Sequence, residues 1–226
     1  MVTATHPPRE LTFRRLGAND AAAFDEFFAL YWSSMPASER KSRPAMQALV
    51  ARPDYQVLLL LLDGRLTGYS VTFVPENDTF CLLEYMAVHA SFRGGGIGST
   101  LFLHAVEMAR NGRGDVAMLL EVDSDREATA DREIRRRRQA FYQRLGCLRI
   151  EGLDYVLPLD TGHAPPLMDL LILPPPDGAV IRRATLERWL RTIYVTVYGR
   201  SPADPRIEQM IARLGDPLQL IGSTEG

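Results

Sequence analysis

The segment Arg93-Gly94-Gly95-Gly96-Ile97-Gly98, called the glycine turn below, has the residue types needed to bind a phosphate group. Four of its last five residues are glycine, so successive main-chain N–H groups can converge on one point without a Cβ in the way. A strand is predicted before the turn, at Thr79–Val88, and a helix after it, whose N-terminus adds partial positive charge. The spacing predicts a pyrophosphate-binding turn rather than a flexible loop.

Two other kinds of phosphate-binding turn fit this segment poorly. A dinucleotide-binding turn has the spacing G-x-G-x-x-G directly after its strand, but Ser99 stands where the third glycine would fall and five residues separate Val88 from Gly94. An acidic residue at the end of the next strand, Glu121 or Asp123, agrees with such a fold, whereas the roughly 80 residues before the turn do not. A P-loop is excluded because no Gly-Lys-Ser/Thr follows.

Glu84 is a candidate for proton transfer. It stands in the middle of an apolar predicted strand, where a carboxylate is costly unless it has water or a partner. A carboxylate in such a place can accept a proton from a substrate group. Water and Glu121 are the alternative bases, and a glutamate that faces solvent is the alternative interpretation.

The residues around the glycine turn resemble the central motif of the GNAT acetyltransferase superfamily. In that motif, Arg/Gln-x-x-Gly-x-Gly/Ala follows a strand that ends in an Ala-Val-like pair, and Ala87-Val88, Arg93, Gly96 and Gly98 match it. Downstream, Ala140–Cys147 resembles the second motif of the superfamily, a helix ending in Phe-Tyr-x-x-Leu-Gly-Phe. The two motifs occur in the expected order.

The resemblance implies that the chain uses acetyl-CoA as a co-substrate and transfers the acetyl group by direct attack to an amine acceptor, either a small molecule or a peptide. It implies that main-chain groups of Met86 and Val88 pair with the pantetheine arm, that the N–H of Met86 points to the thioester oxygen, and that amides from Gly94 to Ser99 hold the pyrophosphate. The implied cofactor-binding residues are Met86, Ala87, Val88, Arg93, Gly94, Gly95, Gly96, Ile97, Gly98 and Ser99.

The resemblance implies a catalytic role for Tyr142, and strand alternation adds Glu84 as a second candidate. Tyr142 matches the hallmark tyrosine that donates a proton or a hydrogen bond to the CoA thiolate. Strand alternation puts Glu84 on the same side of the sheet as Met86, which favours Glu84 as the base. Two departures are Arg135–Arg138, where an asparagine is common, and Cys147, where phenylalanine is usual. A protein of this fold that binds acyl-CoA without catalysis is the alternative, and Tyr142 and Glu84 favour the enzyme.

Composition argues against several other partners. The formal net charge is -2, and the arginines of residues 132–144 have acidic neighbours, which predicts local ion pairs and no nucleic acid. Cys81 and Cys147 form no metal-binding cluster, so we expect buried thiols and no metal site. The longest aliphatic run, Val57–Leu62, is too short to span a bilayer, and Met1–Glu10 lacks the layout of a signal peptide. These features predict a cytoplasmic protein without a membrane partner.

The elements that must position these residues follow an α/β pattern. A strand at Leu11–Leu16, two helices and a three-stranded meander precede the glycine turn. A helix, a strand at Asp115–Val122, an arginine-rich helix and two strands at Leu148–Leu157 and Leu167–Leu173 follow it. We expect a mixed central sheet flanked by helices, in a domain of residues 1–175.

Three prolines, Pro174–Pro176, end this pattern, and residues 176–226 are predicted to form a C-terminal helical extension. One helix face in the extension is too apolar to lie in water, so we expect it to pack on the domain or at a homodimer contact. That face consists of Leu186, Trp189, Leu190, Ile193, Tyr194 and Val197.

Overall fold

The computed structural model describes residues 10–114, 116–159 and 167–222. Met1–Arg9, on which the expectation about a signal peptide rests, and Asp115, at the start of a predicted strand, lie outside the described residues. Contacts divide the chain into two compact units. The first comprises the residues up to Val74 together with Glu84–Asn111, and the second comprises Pro75–Leu83 and the residues from Gly112 onward.

The described residues form six α-helices and eight β-strands. The helices are α1 (Ala21–Ser34), α2 (Arg43–Val50), α3 (Ile97–Arg110), α4 (Arg132–Arg144), α5 (Arg183–Thr196) and α6 (Pro205–Ile211). The strands are β1 (Leu11–Arg15), β2 (Tyr55–Leu62), β3 (Arg65–Phe73), β4 (Phe80–Val88), β5 (Ala117–Asp123), β6 (Leu148–Ile150), β7 (Met168–Leu173) and β8 (Leu220–Ile221). They lie in one mixed sheet with the order β1-β2-β3-β4-β5-β7-β6-β8, which confirms the predicted α/β fold. No helix in the described ranges is long and apolar enough to cross a membrane.

In the first unit, β1, β2 and β3 form an antiparallel meander. The turn between β2 and β3 has Asp63 at φ 51° and Gly64 at φ 75°, the two positive angles that this sequence pair predicts. Asp20 caps α1 by accepting the N–H of Ala23 at 3.0 Å, and Ser42 caps α2. Local sequence signals therefore set these boundaries.

Helices of the first unit cover both faces of the meander. The ring of Phe27 in α1 lies 5.2 Å from that of Tyr69 in β3. Leu101 of α3 packs with Leu58 and Leu60 of β2. Tyr69 pairs with the residue between those two leucines, so it projects to the opposite face. We call the two sides the α1 face and the α3 face.

The second unit begins with the first half of β4. Phe80–Leu83 pairs in parallel with Ala117–Leu120 of β5, and β7 is antiparallel to both β5 and β6. Cys81 and Cys147 form no disulfide within the described residues, and both are fully buried, as predicted.

Two strands of the second unit differ from the sequence prediction. The strand predicted at Leu148–Leu157 ends at Ile150, because Gly152 turns the chain at φ 75° and Tyr155 then forms only an isolated bridge with Met168. Strand β8, which pairs with β6, was not predicted. It is only two residues long, too short to carry a recognisable alternation.

The predicted apolar face of α5 is buried within its own chain. Leu186, Trp189, Leu190, Ile193 and Tyr194 are at most 2% exposed. The Trp189 indole N–H donates to Thr79 Oγ1 at 3.3 Å, and its ring lies 5.7 Å from that of Phe80. The extension therefore packs on the start of β4. The domain boundary at residue 175 and a homodimer contact stay predictions.

Candidate active site

The glycine turn has a backbone that only glycine adopts readily. Gly94, Gly95 and Gly96 have φ angles of 94°, 59° and 80°, a run of three left-handed residues. A Cβ at any of them would meet nothing within 4 Å, so the constraint comes from the backbone angle and the space beside it is open. This open space is what an anion held by main-chain amides requires.

Helix α3 begins directly after these glycines. Gly96 is its N-cap residue, and no side chain caps the helix. The N–H of Thr100 bonds the Gly96 carbonyl at 3.0 Å and that of Ile97 bonds the Gly94 carbonyl at 3.4 Å, so the N–H groups of Gly98 and Ser99 belong to the uncapped first turn. The turn and helix α3 together offer N–H groups and the positive end of a helix dipole at one place.

The end of β4 directs alternate main-chain groups to opposite edges. The N–H of His89 bonds the Thr67 carbonyl at 2.8 Å, and the Ala87 carbonyl lies 3.1 Å from the position of a Cβ on Gly68, so these groups face β3. By alternation, the main-chain groups of Met86 and Val88 face the other edge.

That edge of β4 is paired along only part of its length. The register with β5 ends at Leu83, whereas the strand continues to Val88. The Arg93 Nε donates to the Val88 carbonyl at 3.3 Å and so ties the glycine turn to the end of the strand. An extended ligand can therefore add to this edge as one more strand and end at the glycine turn.

Glu84 has a side chain that is only 5% exposed. The Tyr55 hydroxyl donates to Glu84 Oε1, and the Lys41 ammonium lies 3.6 Å from Glu84 Oε2. Burial raises the pKa of Glu84, while the Lys41 charge and the Tyr55 hydrogen bond oppose that rise. Burial and the neighbouring Glu84 charge also raise the pKa of Tyr55. The solvent-facing interpretation of Glu84 is therefore wrong, because this carboxyl group has two specific partners.

The side chains of Glu84 and Met86 have different surroundings, which corrects the prediction that they share one side of the sheet. Tyr55, the partner of Glu84, lies on the α1 face by strand alternation, whereas Met86 packs against the leucine cluster of the α3 face. Tyr85 also contacts the α1 side, with its ring 5.3 Å from that of Tyr31. Two consecutive residues thus project to one side, which interrupts the alternation before Met86. A main-chain N–H lies in the plane of the sheet, so the Met86 amide remains close to Glu84 along the strand.

Sequence reasoning missed the residues that hold Glu84. Lys41 lies in the loop before α2, and its main-chain N–H donates to the Tyr31 hydroxyl at 2.7 Å. Its ammonium is also 5.7 Å from the centre of the Tyr85 ring. Lys41 is the only lysine of the chain, a sequence signal that could have drawn attention to it. Tyr55 carried no such signal.

The other candidate side chains lie in the second unit. Tyr142 is 8% exposed, and burial raises its pKa to about 12. Its ring makes an edge contact with that of Phe141, with the ring centres 5.0 Å apart. The alternative base Glu121 accepts hydrogen bonds from the hydroxyls of Tyr155 and Tyr198. Glu84, Met86–Val88 and the glycine turn belong to the first unit and Tyr142 belongs to the second, so the role of Tyr142 stays a prediction.

The arginines of α4 form the predicted local ion pairs. Arg135 contacts Asp131 at 2.9 Å, and Arg138 contacts Asp123 at 2.5 Å. Arg136 and Arg137 both contact Glu133, at 3.1 Å in each case. The four arginines Arg135–Arg138 thus pair with three neighbouring carboxylates.

Comparison with known proteins agrees with the fold. A solved GNAT-family acetyltransferase from Bacteroides thetaiotaomicron is 22% identical, with a TM-score of 0.68 over 84% of this chain and 99% of that one. The ribosomal-protein-S18-alanine N-acetyltransferase from Escherichia coli is 19% identical, with a TM-score of 0.52 over 73% and 94%. The IAA acetyltransferase from Bacillus cereus is 17% identical, with a TM-score of 0.51 over 73% and 99%.

These structures are less than 25% identical to the chain and show a shared fold. A comparison with curated protein sequences found no significant match. The sequence model of the acetyltransferase (GNAT) family matches residues 24–147, which is more than half of the chain. The chain therefore belongs to the GNAT family of acetyltransferases.

Proposed function

We propose that this protein transfers an acetyl group from acetyl-CoA to an amine by direct attack. The observation that carries the proposal is the half-paired strand β4 that leads into three left-handed glycines and an uncapped helix. In this proposal the amides from Gly94 to Ser99 hold the pyrophosphate, and Met86 and Val88 pair with the pantetheine arm. Acetyl-CoA supplies an activated acyl group as a thioester.

Glu84 acts as the base in this proposal. The acceptor arrives as an ammonium ion and must lose a proton before its nitrogen can attack the thioester carbonyl carbon. A pKa raised by burial makes the Glu84 carboxylate a better proton acceptor than an ordinary glutamate. The N–H of Met86 stabilises the negative charge that develops on the carbonyl oxygen.

Tyr142 stabilises the leaving thiolate. A group with a pKa of about 12 is a much weaker acid than a thiol with a pKa of about 8.5. Transfer of a whole proton would be uphill by roughly 5 kcal/mol, at about 1.4 kcal/mol per pKa unit. We therefore assign Tyr142 a hydrogen bond to the sulfur, with solvent as the final proton source.

Binding of acetyl-CoA to the glycine turn tests the first part of the proposal. Gly96→Glu places a carboxylate where the phosphate belongs, and we expect the Kd for acetyl-CoA, measured by calorimetry, to rise by more than about tenfold. Gly112→Glu is the matched control, because Gly112 also has a left-handed φ of 72° and open space beside it but lies at the other end of α3. A folded Gly96→Glu variant with an unchanged Kd would refute the site.

Catalysis needs a separate measurement. Release of CoA thiol in the presence of a panel of primary amines distinguishes a transferase from a protein that only binds acyl-CoA. We expect at least one amine to accelerate thiol release, and Glu84→Gln to reduce that acceleration by about a hundredfold or more while acetyl-CoA still binds. Tight binding without release for any amine would favour the non-catalytic alternative.

A further inference from the structure

Lys41 carries the only lysine ammonium in the protein, and that ammonium lies beside the proposed base. Its Nζ is 3.6 Å from Glu84 Oε2, and its main-chain N–H is held by the Tyr31 hydroxyl at 2.7 Å. The loop that carries Lys41 is therefore anchored to α1, and the side chain extends toward the start of the unpaired part of β4.

Each oxygen of the Glu84 carboxylate has a partner, and one of the two partners is an amine. The Tyr55 hydroxyl occupies Oε1, and the Lys41 ammonium occupies Oε2. The face of the Tyr85 ring, 5.7 Å from Nζ, adds a surface that attracts cations. An incoming ammonium would find the same carboxylate oxygen and the same ring that Lys41 contacts. Lys41 thus has the surroundings expected of a substrate amine.

Lys41 is also accessible. Its side chain is 29% exposed, whereas that of Glu84 is 5% exposed. The main-chain N–H of Met86, which binds the thioester oxygen in the proposed function, is two residues along the strand from Glu84, a distance of at most roughly 7 Å between Cα atoms. An extended lysine side chain can span that distance by rotating about its own bonds.

We propose that the protein acetylates its own Lys41. This inference rests on the proposed function, because it uses the same donor and the same base. The Glu84 carboxylate takes one proton from the Lys41 ammonium, and Nζ attacks the thioester carbonyl carbon. A C–N bond forms, the nitrogen loses its second proton to solvent, the C–S bond breaks, and CoA leaves as a thiolate that is protonated from solvent. Lys41 becomes a neutral amide and loses its ion pair with Glu84.

Mass spectrometry of the full chain with acetyl-CoA tests this proposal. We expect the protein to gain the mass of one acetyl group, and peptide mapping to place it on Lys41 rather than on the α-amino group. The first-order rate constant for acetylation should be independent of protein concentration, since the reaction is intramolecular. Glu84→Gln should slow it by about a hundredfold or more, the usual contribution of a general base.

A relocated lysine provides the matched control. The double variant Lys41→Arg/Arg137→Lys keeps one lysine but moves it to a helix position whose side chain is 77% exposed. We expect no acetylation at position 137 under conditions that acetylate Lys41 fully. Equal rates at the two positions, or an equal rate in Glu84→Gln, would show uncatalysed chemistry and overturn the inference.

Binding of acetyl-CoA, measured alongside, separates this inference from the proposed function. An unmodified Lys41 in a protein that binds acetyl-CoA and acetylates an external amine would refute self-acetylation and leave the proposed function intact. A rate that rises with protein concentration would indicate transfer between molecules and would also refute it. Absence of acetyl-CoA binding would refute both.

Discussion

Replacing Lys41 by methionine removes the positive charge beside Glu84 and keeps most of the length of the side chain. Two unit charges about 4 Å apart interact by about 4 kcal/mol at an effective dielectric constant of 20 and by about 1 kcal/mol in water. The 3.6 Å separation and the 29% exposure of Lys41 put the pair between these limits. At about 1.4 kcal/mol per pKa unit, we expect Lys41→Met to raise the pKa of Glu84 by roughly 1 to 3 units.

The sign of the effect on stability follows from the direction of the shift. The pKa of Glu84 is already raised in the folded protein, so this group favours folding below its unfolded pKa of about 4.3, and the advantage is lost as the pH rises through the folded pKa. Lys41→Met raises the folded pKa further. The variant should therefore lose roughly 1 to 4 kcal/mol of unfolding free energy relative to the wild type as the pH rises from about 4 to about 8.

Urea unfolding over that pH range measures this loss without any substrate. Lys41→Arg is the matched control, because it keeps the positive charge and should follow the wild-type profile. In the activity assay, the acid limb of kcat/KM should lie at higher pH in Lys41→Met than in Lys41→Arg, since neither variant can be acetylated at position 41. A difference in unfolding free energy between the two variants that does not change with pH would refute the ion-pair argument.

Three further perturbations test other parts of the structure. Tyr142→Phe should lower kcat by roughly 10- to 100-fold, because it removes a hydrogen bond to a charged group, and should change the Kd for acetyl-CoA little. An unchanged kcat, with chemistry shown to be rate-limiting, would remove Tyr142 from the mechanism. Gly68→Ala places a Cβ 3.1 Å from the Ala87 carbonyl and 3.2 Å from Leu101 Cδ2, so we expect a lower melting temperature and weaker acetyl-CoA binding. If both values were unchanged, the end of β4 would be able to shift at little cost in free energy. Deletion of the residues after Pro176 removes Trp189 from its contact with Phe80 and should make the protein insoluble or much less stable, whereas an equally stable and active truncated chain would show the extension to be dispensable.

The sequence by itself determined those features that depend on neighbouring residues. Asp20 and Ser42 mark helix starts because a side-chain oxygen satisfies N–H groups two or three residues on, and Asp63-Gly64 marks a hairpin because both turn positions need positive φ. The glycine turn was predictable for the same reason. Each of these interactions joins residues only a few positions apart, so the residue types that form them can be recognised without the rest of the chain.

Only the tertiary structure decided the surroundings of the candidate base. Tyr55 and Glu84 are 29 residues apart in sequence, and Lys41 is farther still, so no local pattern links the three side chains. The prediction from strand alternation was wrong at Glu84 because two consecutive residues of β4 project to the α1 side. Long-range packing can outweigh the two-residue period of a strand, and its outcome depends on helices and loops that the strand's own sequence does not encode.

The order of the strands in the second unit was likewise a tertiary outcome. Strand β7 lies between β5 and β6, although β6 precedes it in the chain, and β6 is cut short where Gly152 turns the backbone. Alternating apolar residues predict that a strand exists and which face it buries, but they do not specify its neighbours, because every buried strand offers the same main-chain hydrogen-bonding groups. The choice among partners is made by the packing of whole elements.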